Sequence, residues 1–92
     1  MITFQISGYL TEFTGGRAEI RIDASSATVG EALTRLWKQH VGLRDRVLTE
    51  RGVVRPHVNV FVNGQVVRRD RVLETAVPDE VEICIMPAVS GG

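Results

Sequence analysis

The chain lacks most of the parts from which small enzymes and membrane proteins are built. Cys84 is its single cysteine, so no disulfide can close within it, which suits a reducing compartment. No long apolar run and no signal-peptide pattern is present, so the chain is expected to be cytoplasmic, with no membrane partner. Eleven basic residues balance eleven acidic ones, and without a sign bias no nucleic-acid partner is expected. Lys38 is the one lysine beside ten arginines. Side-chain amine chemistry is thereby confined to one position plus the N-terminus. His40 and His57 stand far apart with no metal-ligand spacing around them, so no metal is expected. Gly15-Gly16 belongs to no GxxxxGK[ST] phosphate loop. Repeats, low-complexity stretches and linkers are all missing. A length of 92 residues makes one small domain that buries roughly 60–65% of its unfolded surface, with little room for a deep active site of its own.

What is present is a set of clear alternations. Ile2, Phe4 and Ile6 alternate with Thr3 and Gln5, and Ala18, Ile20 and Ile22 alternate with Glu19, Arg21 and Asp23. These are two half-buried strands, expected to pair as an antiparallel hairpin across a loop at Thr14-Gly15-Gly16. Thr28-Val29-Gly30-Glu31 has the form of a capping box, with Glu31 reaching back to the Thr28 amide. Val29, Ala32, Leu33 and Leu36, with Trp37 and His40, follow helical spacing, and Gly42 reads as the helix stop. Leu43 to Arg51 reads as a short helical turn or loop ended by Gly52. Val58, Val60 and Val62 form a third strand, and Asn63-Gly64 is a type I′ turn into a short return strand, Gln65 to Val67. Val77-Pro78-Asp79-Glu80 reads as a turn. Val81, Ile83 and Ile85 make the last strand, which Pro87 is expected to end because proline cannot donate to a ladder. The order implies an α+β, β-grasp (ubiquitin-like) fold. It is a mixed sheet of about four to five strands covered by one main helix, with the first and last strands adjacent in the centre.

The last residues are Pro87-Ala88-Val89-Ser90-Gly91-Gly92. A glycine pair alone reads as a frayed end, but this one follows a strand and a proline break. Glycine backbones reach conformations closed to other residues, and six extended residues span about 20 Å at roughly 3.3–3.6 Å each. The reading is a β-grasp domain over residues 1–86 and a flexible tail over 87–92 that carries the Gly92 carboxylate into another enzyme.

Other residues weigh less. Cys84 reads as a strand residue, since no base or helix N-terminus in the sequence lowers its pKa. His40 reads as a helix-end residue and Ser90 as a small tail residue with no partnered base. The run Arg68-Arg69-Asp70-Arg71 reads as a solvated loop, or as a surface that meets an acidic partner. Phe61, Cys84 and Met86 fall opposite the buried positions of their strands. They form either an exposed apolar patch leading to the tail or a face partly covered by loops.

With the element order, Thr28-Val29-Gly30-Glu31-Ala32-Leu33, Pro56-His57-Val58-Asn59-Val60-Phe61-Val62-Asn63-Gly64 and the Gly91-Gly92 ending in hand, the chain resembles the ubiquitin-like sulfur carriers of the MoaD/ThiS type. The resemblance spans nearly the whole chain. It departs in having Pro78-Asp79-Glu80 where relatives often have Gly-Asp-Glu, and in extra residues between Gly42 and Val54. It is closest to the small subunit of molybdopterin synthase and to the carriers of cysteine synthesis, and Pro87-Ala88-Val89 leans to the latter. The resemblance implies a carrier substrate rather than an enzyme, with no bound cofactor. An E1-like adenylyltransferase/sulfurtransferase would use ATP to adenylate Gly92, beside Gly91, and convert it to a thiocarboxylate. A sulfur-accepting biosynthetic enzyme would then take the sulfur. Phe61, Met86, Pro87 and Val89 are the expected partner-binding residues. The alternative is a protein modifier joined to lysines through Gly92. A third reading is a binding module whose tail only docks.

Overall fold

The computed structural model describes residues 1–88. Strand β1 (Ile2–Ile6) sends Ile2, Phe4 and Ile6 into the core, and β2 (Glu19–Ile22) does the same with Ile20 and Ile22. They pair antiparallel from Ile2↔Ile22 to Gln5↔Glu19. Their connection is more ordered than a loop. Gly8–Phe13 winds into a 3-10 helix that buries Leu10, and the buried Thr14 hydroxyl donates to the carbonyls of Thr11 and Arg17 at 3.1 and 2.7 Å. Gly15 and Gly16 then turn the chain at φ +67° and +85°, a region glycine enters without strain.

Helix α1 (Val29–Gln39) starts as its capping residues require. The Thr28 hydroxyl accepts the Glu31 amide at 3.2 Å. The reciprocal bond from the Thr28 amide to Glu31 is not among the hydrogen bonds of the described residues. Instead the Val29 amide donates to the Thr75 carbonyl at 2.9 Å, tying the helix start to a neighbouring segment. Val29, Ala32, Leu33 and Leu36 are completely buried, while Trp37 packs only at the edge of the core. Truncation of Leu33 or Leu36 to alanine at such a site costs about 2–5 kcal/mol.

Gly42 does not stop this helix. The break falls at His40 (φ −135°, ψ 75°), and Gly42 lies inside a second helix, α2 (Val41–Val47). Leu43 and Val47 on α2 are fully buried, and their burial outweighs the roughly 1 kcal/mol that glycine costs in a helix. The segment beyond α2 is closed by the Leu48↔Val54 bridge and turns at Gly52 (φ +79°).

Strand β3 (Val58–Val62) turns at Asn63 and Gly64, with φ of 48° and 83°, into β4 (Gln65–Val66). Both φ values are positive, as a type I′ turn demands. A second short 3-10 turn, Val72–Glu74, buries Val72 before the chain bends at Asp79-Glu80 into β5 (Val81–Pro87). The sheet runs β2-β1-β5-β3-β4, with β1 and β5 parallel and β3 antiparallel to β5. This is the expected β-grasp, with five strands and the helices on one face. Pro87 is the last residue of β5 rather than the residue beyond it. It pairs with Val58, and the Ala88 amide still donates to the His57 carbonyl at 2.6 Å. Proline silences only its own donor, so the ladder resumes one residue later.

Candidate functional site at the exit of the central strand

The face of the sheet opposite the helices presents the out-pointing residues of each strand. The register aligns Val66, Phe61, Cys84, Gln5 and Glu19 in one row across β4, β3, β5, β1 and β2. Met86 and Asn59 form the next pair toward the exit of β5. Directly opposed side chains touch on a sheet face. Phe61, Cys84 and Met86 are therefore brought together as the alternation implied, and all three are half-buried rather than bare. The two ends of the row are open, Val66 at 67% exposure and Glu19 at the β2 edge. The β2 side of the same face is polar, where the Gln5 amide donates to Glu19 at 2.9 Å and Glu19 pairs with Arg21 at 3.0 Å. The face is thus apolar where Val66, Phe61, Cys84 and Met86 meet and polar at β2 and at Glu82 on β5.

Cys84 has no activating neighbour on this face. Partial burial pushes its thiol up, and the Glu82 carboxylate, with Oε1 3.8 Å from Sγ, pushes it further. Both effects disfavour the thiolate, which is the reactive form. Among the described residues no group of histidine, cysteine and carboxylate side chains is arranged to hold a metal ion.

The exit of β5 is built by residues far away in sequence. The Ser7 amide donates to the Ile85 carbonyl at 3.1 Å. Gly8 then follows at φ +64°, where a Cβ would stand 2.9 Å from Pro87 Cγ. Only glycine meets both demands, the left-handed backbone and the close approach. On the other side His57 holds Ala88 through its carbonyl. Gly8 and His57 carry no site signal of their own in the sequence. An isolated glycine at the end of a strand pattern is the one cue to a close backbone approach. Val89, Ser90, Gly91 and Gly92, the reactive part of the sequence expectation, lie outside the described residues.

The arginine run is an exposed loop, as read, but one of its members is tied to the domain. Arg68 pairs with Asp70 at the surface, but the Arg69 guanidinium donates to the carbonyls of Arg55 and Val58 and to the Asn59 side chain at 3.1–3.4 Å. Arg69 is a strut that fixes the start of β3, next to the His57 carbonyl that holds Ala88.

A five-stranded β-grasp sheet with its apolar face leading to the end of a central strand defines a ubiquitin-like protein, and comparison with known proteins makes that specific. The ThiS family matches residues 4–92, and the chain belongs to this family of ubiquitin-like sulfur carriers. It is 32% identical over 93 residues to the sulfur carrier protein CysO of Mycobacterium tuberculosis, covering 99% of this chain and 98% of that one. It is 40% identical over 72 residues to small archaeal modifier protein 3 of Haloferax volcanii, covering 78% and 76%. Its structure superposes with a TM-score of 0.86 on a chain of the Amycolatopsis orientalis BexX/CysO complex, at 34% identity with both chains fully covered. No helix of the described residues is long and apolar enough to cross a membrane.

Proposed function

We propose that this protein carries sulfur as a thiocarboxylate on Gly92. The observation that carries the reading is a continuity. The family match runs through to Gly92, and the central strand leads into that segment at Pro87-Ala88, gripped from both sides. A carboxylate is a poor electrophile. In the proposed cycle a Gly92 oxygen attacks the α-phosphorus of ATP on an E1-like enzyme and pyrophosphate leaves. Hydrosulfide from a sulfide-level donor then attacks the acyl carbon, AMP leaves, a proton is released, and the thiocarboxylate remains. The carrier needs no catalytic group, because the partner enzymes position the reacting atoms. Glycines at 91 and 92 leave the acyl carbon uncrowded on its way into a pocket the domain cannot enter.

The acceptor is proposed to be a small molecule on a second enzyme, with cysteine-type synthesis first and molybdopterin second. An amino-acid acceptor leaves a Gly92-linked cysteine, whereas direct sulfur transfer returns the free carboxylate. The mass of the carrier after reaction separates the two. The relationship to an archaeal modifier protein favours a second reading, conjugation of Gly92 to lysines. Isopeptide adducts in cells would support that reading in place of thiocarboxylate.

The test is intact-mass analysis after incubation with ATP, the cognate activating enzyme and a sulfur donor. The expected result is replacement of one oxygen by sulfur, complete loss of this shift on deletion of Gly92, and an unchanged fold. Normal sulfur loading of the truncated chain would sink the reading. On the sheet face, Phe61→Ala is expected to weaken partner binding by about 2 kcal/mol, as a truncated aromatic anchor does, with a smaller loss of stability. Equal binding per folded molecule would remove Phe61 from the docking surface.

A further inference from the structure

Beside the exit of β5 lies a surface cavity of about 180 Å³ lined by Tyr9, Asp45, Arg46, Arg55 and His57. Two of its walls are continuous with the grip on the strand. Tyr9 follows Gly8, which abuts Pro87, and the His57 carbonyl receives the Ala88 amide. The charge in the cavity is unbalanced. Its one acid, Asp45, takes the Arg44 guanidinium at 3.2 Å. Arg55 donates its Nε to the Asp45 backbone carbonyl at 2.9 Å, which fixes the side chain by its stem. Arg46 is held with its guanidinium 4.6 Å from the centroid of the Phe13 ring. Neither Arg46 nor Arg55 forms an ion pair among the described residues. Two guanidinium groups are thus positioned with no ion pair of their own, beside the residues that hold Pro87 and Ala88.

We propose that this cavity receives an acidic side chain of the E1-like enzyme that takes the tail, so that it docks the carrier in register for adenylation. The inference rests on the carrier reading above. Guanidinium groups pair with carboxylates in fork geometry. Because both arginines are already held, less side-chain freedom is lost on pairing than for free surface arginines. The overall net charge is zero, so attraction to an acidic surface has to come from such a local patch and is screened by salt. The apolar face of the sheet supplies contact area, and the cavity supplies orientation beside the exit.

The experiment is ATP–pyrophosphate exchange by the cognate E1-like adenylyltransferase, with the full-length carrier varied at two salt concentrations. The Arg46→Glu/Arg55→Glu double variant is expected to raise the KM for carrier about tenfold with kcat unchanged and to flatten the salt dependence, as loss of a complementary charge pair does. Arg55→Lys keeps the charge but loses the fork and the bond to the Asp45 carbonyl, so its KM is expected to fall between wild type and the reversal, and thermal unfolding of the double variant guards against a folding defect. Arg71→Glu, at the other end of the sheet, is expected to leave KM unchanged. An unchanged KM in the folded double variant overturns the proposal. A fall in kcat alone also overturns it, since the arginines would then act on the nucleotide, and an equal loss in Arg71→Glu would reduce the effect to general charge. If the wild-type chain supports no exchange at all, the carrier reading fails first and the docking site falls with it.

Discussion

At its Val81 end, β5 is fixed by polar groups. The Asn63 side chain accepts the Glu82 amide at 2.9 Å while the Asn63 amide donates to the Glu82 carbonyl at 2.8 Å, and the N-terminal ammonium donates to the Asp79 carbonyl at 3.1 Å. At its Pro87 end the fixings are a glycine against a proline ring and one backbone hydrogen bond from Ala88 to His57. The charges differ in balance. Asp79, Glu80 and Glu82 stand at the first end, where Arg68 and Arg71 also lie near Asn63, and Arg46 and Arg55 flank the second with Asp45. The first end uses side chains to finish a strand. The second uses backbone and close packing, which hold Pro87 and Ala88 laterally. The two ends of one strand are thus fixed by different means, and each can be removed separately.

The largest expected effect tests the close packing at the exit. Gly8→Ala adds a Cβ 2.9 Å from Pro87 Cγ at φ +64°, and strain plus overpacking should cost about 2–4 kcal/mol. Gly15→Ala is the matched control, because its φ is +67° with nothing within 4 Å, so it carries the backbone cost alone, about 1–2 kcal/mol. Denaturant unfolding of the two variants measures the difference. Equal losses would mean that Pro87 yields freely and that the exit is not gripped. Relief of the Gly8→Ala defect by Pro87→Ala would sharpen the comparison by tying the cost to that contact.

A smaller effect belongs to the polar end. Asn63→Gly keeps the left-handed turn but removes the acceptor for the Glu82 amide, for an expected loss of about 1 kcal/mol. Asn63→Ala loses the acceptor and also strains the turn, for about 2 kcal/mol in all. Thermal unfolding orders the two. Hydrogen exchange at the Glu82 amide should accelerate in both, and exchange as slow as in the wild type would show that the side-chain bond contributes nothing.

These contrasts also show what could be read before the structure. Strands β1, β3 and β5 were legible because each buries one face, so the period of two is written in Ile2-Phe4-Ile6, Val58-Val60 and Val81-Ile83-Ile85. Helix α1 was legible from Thr28 and its apolar spacing. Gly42 misled because a local stop signal was outweighed by burial of Leu43 and Val47, a tertiary effect with no local trace. Of the site, the pairing of Phe61 with Cys84 followed from alternation once the strands were known to be adjacent. The grip on the exit did not. It joins Gly8, His57, Pro87 and Ala88 across up to eighty positions through a proline ring and a backbone hydrogen bond, and an isolated glycine is the one cue the sequence offers to it. Arg69 was hidden in the same way, since its partners are carbonyls.

The smallest expected effect probes how far the acidic end reaches along the open face. Cys84 lies two residues from Glu82 on the same side of β5, and its thiol is held above its ordinary value first by burial and then by that carboxylate. Glu82→Gln removes the second cause and leaves the first, so the thiol should fall only part of the way back. The sign is fixed by charge: without the neighbouring anion the thiolate is easier to form, and the thiolate is what reacts. Alkylation of Cys84 by iodoacetamide near pH 8 is therefore expected to quicken in Glu82→Gln. The two rates should converge at pH values above both thiol pKa values, where each protein is fully ionised. Convergence separates an electrostatic effect from a change in access, which would alter the rate at every pH. A rate that does not rise near pH 8 would confine the influence of Glu82 to the end of the strand and leave burial as the cause of the raised thiol.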